Sequence, residues 1–375
     1  MARYKLGDIA PIQQGIVPAA GEYWLLNLDM VESNTGRIIE YVFASQNKIG
    51  ASTIAFDESN VLYSKLRPYL NKVVLPTKPG YATSEMLPLH PDTRIITPKF
   101  LVYFLRSKPF VSYISEKTSG AKMPRTNIAD LKAVEIDCPT LDKQNRITES
   151  FDKIVSIIDL LKEELETFDQ LIKTRFVEMF GDPVSNPFGL PEKKLSELGT
   201  LDRGRSQHRP RNAPELLGGP YPLIQTGEVS SAGLYITEYR NTYSETGLKQ
   251  SKMWKAGTLC ITIAANIAQT AIMTFDACFP DSVVGFVPYN EVNALYVHYW
   301  FGFFQKILEE QAPQVAQKNI NLKILSDLNV IVPERRMLKQ FEDFVSQVDK
   351  SKAVVQEALD KAQLLFDSLM QQYFG

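Results

Sequence analysis

Between Ile147 and Met179 the apolar positions fall at Ile147, Phe151, Ile154, Ile158, Leu161, Leu165, Phe168, Ile172 and Met179. The intervals alternate between four and three, with one interval of seven in which Arg175 occupies the skipped core position. That alternation is a heptad seam and predicts a helix packed lengthwise on another helix. A second seam runs through Leu338, Phe341, Val345, Val348, Val355, Leu359, Ala362, Phe366, Leu369 and Tyr373, with Lys352 in its one polar slot. At ~1.5 Å per residue each predicted helix is a rod of about 50 Å.

The two seams are related by a constant shift of 194 residues: Ile147 matches Phe341, Leu165 matches Leu359, and Phe180-Gly181 matches Phe374-Gly375. The same shift aligns Asn127 with Asn321, Leu131 with Leu325, Ile136 with Val330 and Pro139 with Pro333. Such self-similarity predicts two copies of one module. Upstream of each seam, short apolar or alternating runs are separated by Gly, Pro, Asn and Asp, which predicts a β-rich core. In the first copy these are Tyr23–Leu28, Arg37–Phe43, Val61–Ser64 and Lys72–Leu75; in the second, Tyr221–Gln225, Gly257–Ile263, Thr270–Phe275 and Val283–Val287. Thr97-Pro98 is an N-cap and N1 pair, so 97–107 is predicted helical, as are 109–117 and 295–308. Residues 182–192, rich in Pro, Gly and Asn, form the linker, and Glu192-Lys193-Lys194 reads as linker charge. The fold class is therefore α+β: a first module over 1–139, a helix over 140–181, the linker and second module over 182–333, and a second helix over 334–375. Because the second module connects the two helices, antiparallel pairing is expected; a parallel pair would require that module to carry the chain back about 50 Å.

Composition leaves this picture unchanged. At 44% hydrophobic and 22% charged it is an ordinary globular chain. No run approaches the roughly 18–20 apolar residues of a membrane span, and the N-terminal stretch has no apolar core of a signal peptide, so a cytoplasmic protein is expected. Cys138, Cys260 and Cys278 are widely spaced in apolar surroundings and read as buried hydrophobes. The net charge of −2 excludes a simple polybasic binder, but residues 1–140 hold 16 Lys and Arg against 13 Asp and Glu, while 141–181 hold 6 against 9. Any contact with nucleic acid must come from local clusters.

The strongest cluster is Arg203-Gly-Arg205-Ser-Gln207-His-Arg209-Pro-Arg211, with four arginines in nine residues. Arginine forks suit phosphates and guanine edges, and glutamine suits adenine. The corresponding loop of the first module contains Gln14 and Gly15 and offers amide and backbone groups alone. Further candidates are Lys65, Arg67 and Tyr69 within 64–72, Lys122 and Arg125 within 119–125, Asn266 and Gln269 within 262–269, and Lys318 within 311–319. Catalytic signatures are missing. There is no phosphate loop and no glycine-rich turn after a strand for S-adenosylmethionine; Asn186-Pro187-Phe188 lacks the second proline of an amino-methyltransferase motif. His90, His208 and His298 show no metal spacing with the cysteines, and His298 reads as a packed helix residue.

The run Val61-Leu-Tyr-Ser-Lys-Leu-Arg-Pro-Tyr-Leu-Asn-Lys72, the segments Gly257–Ile263 and Ile267–Ala271, and the helix ends 175–182 and 369–375 resemble the specificity (S) subunits of type I restriction-modification systems. The resemblance covers the whole chain. It implies two pseudo-symmetric α/β target-recognition domains separated by a long antiparallel two-helix coiled coil with Phe151, Ile154, Ile158, Leu161, Leu165, Phe168, Val345, Val348, Val355, Leu359 and Phe366 in its core. It implies a non-catalytic reader of a split double-stranded DNA site that docks two methyltransferase (M) subunits and, through the complex, restriction (R) subunits. No cofactor is implied in this chain; S-adenosylmethionine, Mg2+ and ATP would belong to the partner subunits. A coiled-coil adaptor that binds only proteins is the alternative.

Overall fold

Both heptad seams fold as 40-residue helices, Leu141–Phe180 and Arg335–Phe374, in the computed structural model. The structure describes residues 2–375 apart from Ala121, Ala265, Asn266 and residues 312–319, and without the side chains of Lys306, Leu308, Glu309, Glu310 and Gln311. Two of the candidate contact residues, Asn266 and Lys318, therefore lie outside the described residues. The chain divides into two units, residues 1–163 with 356–375, and residues 164–355, so each long helix contributes one stretch to each unit.

In the first unit the long helices meet antiparallel. The Phe151 ring lies 5.5 Å from Phe366 and stacks on Phe374 at 6.1 Å. The core continues through Leu101, Leu105 and Ile114, because the helix Pro98–Arg106 packs on these long helices. Thr97 caps that helix by accepting from the Phe100 N–H at 3.3 Å, and Ser107 caps the following helix, Lys108–Glu116, in the same way. The buried Gln144 anchors the long helix here: its Oε1 accepts from the Thr97 N–H at 2.8 Å, and its Nε2 donates to the carbonyls of Ile95 and Pro139. A four-stranded and a three-stranded sheet follow the strand orders Val42–Ala44, Tyr23–Leu26, Gly80–Thr83, Thr53–Phe56 and Val73–Val74, Val61–Ser64, Met86–Leu89, beside the two-stranded pairs Ala2–Lys5 with Glu135–Cys138 and Thr118–Ser119 with Arg125–Thr126. The predicted strands at 37–43 and 72–75 shrink to Val42–Ala44 and Val73–Val74.

In the second unit the same antiparallel relation holds, with Phe176 and Phe180 each 5.5 Å from Phe341. Five strands order as Gly199–Arg203, Val283–Pro288, Leu259–Thr262, Thr270–Met273, Tyr235–Ile236, beside a four-stranded sheet of Asn241–Tyr243, Leu217–Leu223, Ala277–Cys278 and Met253–Trp254. The helix Ala294–Gln311 lays Tyr296, Trp300 and Phe301 into the core with Phe176 and Phe180.

The repeat is visible residue by residue. Strand Ala2–Lys5 pairs antiparallel with Glu135–Cys138, and Glu192–Lys194 pairs antiparallel with Asn329–Ile331. Asn127 and Asn321 each cap a short helix, accepting from the Ala129 and Ile324 N–H groups at 2.9 Å. Glu192-Lys193-Lys194 is thus a strand and not linker charge. Its lysines pair with Glu291 at 2.5 Å and Asp327 at 2.8 Å, a nonlocal arrangement that the local composition conceals.

The seam needs correction at its ends. Arg175 does not occupy a core slot: its side chain is 44% exposed, beside Glu178, and the neighbouring Phe176 is fully buried instead. Tyr373 is likewise displaced outward, while Met370 is buried and Phe374 packs on the core. Of the expected core residues, Phe151, Ile154, Ile158, Val345, Val348 and Val355 are buried, whereas Leu161, Leu165, Phe168, Leu359 and Phe366 are partly buried. Lys352 is half-buried and binds Asp169 at 2.7 Å.

Candidate nucleic-acid interface

Two segments singled out by sequence in the first unit are hydrogen-bonded together. The Arg67 N–H donates to the Pro124 carbonyl at 2.8 Å and the Thr126 N–H to the Lys65 carbonyl at 2.8 Å, with an isolated bridge between Leu66 and Arg125. Lys65, Arg67, Tyr69, Lys122 and Arg125 are therefore carried by two interlocked loops, beneath which the Tyr63 hydroxyl meets the Thr126 hydroxyl at 3.0 Å. Their electrostatics differ. Arg125 is engaged by Glu85 at 2.9 Å, and this guanidinium is the main reason the Glu85 carboxyl lies below its ordinary value. Arg67, Tyr69 and Lys122 are exposed, and no ion pair holds Arg67 or Lys122 among the described residues. Glu85, which sequence reasoning missed, sits 40 residues from Arg125 and leaves no local signal.

Arg67 has φ 49° and Asn71 φ 51°, so both ends of the turn Pro68–Leu70 lie in the left-handed region. A side chain there costs ~1–2 kcal/mol relative to glycine. Strain of this kind at an exposed arginine concentrates at functional positions. Arg67→Gly is expected to leave the melting temperature unchanged or slightly higher while weakening duplex binding. A drop in melting temperature with binding intact would assign Arg67 a structural role.

The loop of Gln14 and Gly15 is exposed at Gln14 and tied by its backbone and side chain to the segment 55–57. Gln14 Oε1 accepts from the Ala55 N–H at 3.0 Å, and a Cβ on Gly15 would lie 2.3 Å from the Asp57 nitrogen. Gly204, at the matching place in the second unit, is equally confined: a Cβ there would approach the Phe279 carbonyl oxygen at 2.2 Å. These glycines permit close backbone approach in both copies.

In the second unit, Arg203 ends the strand Gly199–Arg203 and the chain continues as a loop through Arg211. Gln250 pins the loop by accepting from both the Gln207 and His208 N–H groups, at 2.7 and 3.1 Å, and the Ser251 hydroxyl donates to the Arg205 carbonyl at 2.8 Å. Asp281 takes Arg211 at 2.5 Å and Arg209 at 3.6 Å. Arg203 and Arg205 are exposed and have no ion pair among the described residues, so they are the two cations of the loop available to an external anion. Gln250 and Asp281 were not legible in the sequence, because each lies some 40 to 70 residues from the loop it organises.

Gln269 falls elsewhere. It lines a cavity of about 530 Å³ with Thr270, His298, Asp169 and Lys352. His298 Nδ1 lies 2.9 Å from the Thr270 hydroxyl, and burial pulls the imidazole down to about 4, so the ring is neutral at pH 7. The three cysteines are free and buried, and desolvation pushes all three thiols up, Cys138 to about 11. Among the described residues no three His, Cys, Asp or Glu side chains form a metal-binding group, and no helix is long and apolar enough to cross a membrane.

Residues 1–168 and 189–362 each match the family described as the type I restriction modification DNA specificity domain. The specificity subunit of the Escherichia coli type I restriction enzyme EcoDI is 26% identical over 135 residues, which are 36% of this chain and 30% of that protein. That of E. coli EcoBI is 22% identical over 307 residues, 72% of this chain and 64% of that protein. The chain thus spans less than two thirds of the length of these relatives. Among solved structures, one from work on the assembly and conformational transition of a type I R-M system covers 100% of this chain and 97% of its own, at TM-score 0.62 and 17% identity. The S subunit from M. genitalium covers 100% and 96%, at TM-score 0.59 and 15% identity. These two share the fold.

Proposed function

The chain belongs to the type I restriction-modification DNA specificity family, and from that premise we propose that it is the non-catalytic subunit that reads a split duplex DNA site, one half-site per repeat. The observation that carries this reading is the twofold family match laid over two units that each present unpaired cations on a braced loop. In the first unit Arg67, Lys122 and Tyr69 contact DNA, with Lys65 and Arg125 beside them. In the second, Arg203 and Arg205 bind phosphates or guanine edges, Gln207 adds an amide, and Arg209 and Arg211 hold the loop through Asp281.

Two methyltransferase subunits supply the chemistry with their own S-adenosylmethionine, and restriction subunits bring ATP and Mg2+. Docking surface is offered by large apolar residues left exposed on the long helices. Ile157 and Leu160 are 50% and 64% exposed, and Leu364 and Leu365 are 71% and 51% exposed, all in the first unit. Leu171 and Val354 are their exposed counterparts in the second. Large apolar side chains left exposed along a helix are candidate protein contacts.

The test is fluorescence anisotropy of the chain, assembled with its methyltransferase subunits, on a pool of random duplexes. A recoverable bipartite sequence preference is expected, and absence of any preference overturns the reading. In the same assay Arg203→Ala combined with Arg205→Ala is expected to lower affinity and to flatten the log-affinity against log-salt slope by about two, at roughly 0.9 for each phosphate no longer neutralised. Salt-insensitive binding by the unmodified assembly would point instead to a protein-only adaptor.

A further inference from the structure

A cavity of about 370 Å³ in the first unit lies among the loop 34–37, the helix Pro98–Arg106 and the long-helix stretches of that unit. Part of its wall is apolar, from Tyr103, Ile158, Phe366 and Met370. The other part is cationic. Arg106 lines it with one Nη donating to the Val73 carbonyl at 2.5 Å, while its Nε–H is sealed from solvent and has no partner. No carboxylate lies within salt-bridge distance of this guanidinium among the described residues. Burial draws it down to about 10, which leaves it charged at pH 7. Asn71 lies against it, with Nδ2 donating to the Arg106 carbonyl at 3.1 Å and its buried Oδ1 unpartnered.

The remaining charges do not neutralise Arg106. Asp159 is held by Arg37 at 2.6 Å and Asp367 by Lys108 at 3.1 Å, while Lys162 at the rim has no ion pair among the described residues. Four cations therefore face two carboxylates that are already engaged. A buried charge without a counter-ion is destabilising, and an anionic ligand would supply one. The volume falls within the range of small-molecule sites, and an apolar wall beside a few convergent polar groups is their usual composition.

We propose that this cavity is a binding site for a small organic oxyanion, a phosphate ester or carboxylate with an apolar body, whose charged head pairs with Arg106 and Lys162 and whose body lies against Tyr103 and Phe366. None of the candidate DNA-binding residues lines the site, but Asn71, which closes the turn carrying Arg67 and Tyr69, does.

The experiment is calorimetric titration and thermal melting of the full chain with three probes: phenyl phosphate, inorganic phosphate and phenol. Phenyl phosphate is expected to bind at least tenfold more tightly than inorganic phosphate, and phenol not at all. Arg106→Met, which keeps an unbranched stem and removes the charge, is expected to melt higher than the parent without ligand and to lose the ligand-dependent rise. Lys162→Gln, on an exposed helix face, is expected to fold normally and weaken phenyl phosphate three- to tenfold, so it serves if Arg106→Met fails to fold. Equal melting shifts in the parent and both variants, or no binding of phenyl phosphate to the parent, would overturn the proposal. So would binding that disappears on adding a partner subunit whose carboxylate side chain cross-links to Lys162, since the site would then be a protein contact.

Discussion

On the proposed reading of a split site, seven residues inserted into both long helices, after Glu163 and after Val355, are expected to lengthen the unspecified gap in the DNA by about three base pairs and to leave both half-sites unchanged. An insertion of one heptad keeps the alternating seam in register, whereas four residues would locally unwind it. Seven residues add ~10 Å of helix at ~1.5 Å each, and duplex DNA rises ~3.4 Å per base pair. Each helix is continuous through residues that belong to both units. Sequencing methylated genomic DNA from cells carrying the altered chain reads gap and half-sites together. An altered half-site, or a gap that stays the same, would refute the helices as a measure of DNA length.

Phe176→Ala is expected to cost about 3–5 kcal/mol, the range for removing a fully buried aromatic ring. Phe176 meets four rings: Phe180 at 4.9 Å, Phe303 at 5.2 Å, Tyr296 at 5.3 Å in a stacked arrangement, and Phe341 at 5.5 Å. For a unit of this size the loss corresponds to a melting decrease on the order of 10 °C. Arg175→Ala, one residue away, 44% exposed and with its guanidinium over the Phe344 ring, should cost no more than about 1 kcal/mol. Chemical denaturation followed by circular dichroism distinguishes the two. Equal costs would restore Arg175 to the helix seam and remove Phe176 from it.

That pair of residues shows where the sequence stops being readable. The interval of seven around Arg175 follows from extending a strict heptad, and it fails because the final turns of the helix face more than their partner helix. Phe176 must satisfy Tyr296 and Phe303 as well as Phe341, which widens the buried face. Phe374 displaces Tyr373 for the same reason, lying 5.1 Å from Phe100 and 6.2 Å from Phe104. The middle of each seam, the shift of 194 and the two asparagine caps were legible because they depend on local periodicity or local hydrogen bonding. Four-residue strands such as Val61–Ser64 and Leu259–Thr262 were legible too, whereas the two-residue strands Arg125–Thr126 and Met253–Trp254 were not, since so few positions carry no usable alternation. At the candidate interface the basic loops could be located, but not which cations are already engaged. Glu85 and Asp281 decide that, and both are brought in by tertiary folding.

The first unit is closed by residues from far along the chain. Phe366 and Phe374 complete the aromatic cluster around Phe100, Tyr103 and Phe151, while the whole of 164–355 is inserted between its two parts. During synthesis at about 5–20 residues per second, the early segment waits roughly 10–40 s for its closing helix. Throughout that interval Phe100 lacks Phe374, and Phe151, which keeps Tyr103 at 4.7 Å, lacks Phe366 and Phe374. The second unit, continuous in sequence, has no such delay. The repeat therefore joins two similar modules with opposite folding schedules: the one made first is finished last, and its unsheathed aromatic surface is the natural point of capture for a chaperone or a protease.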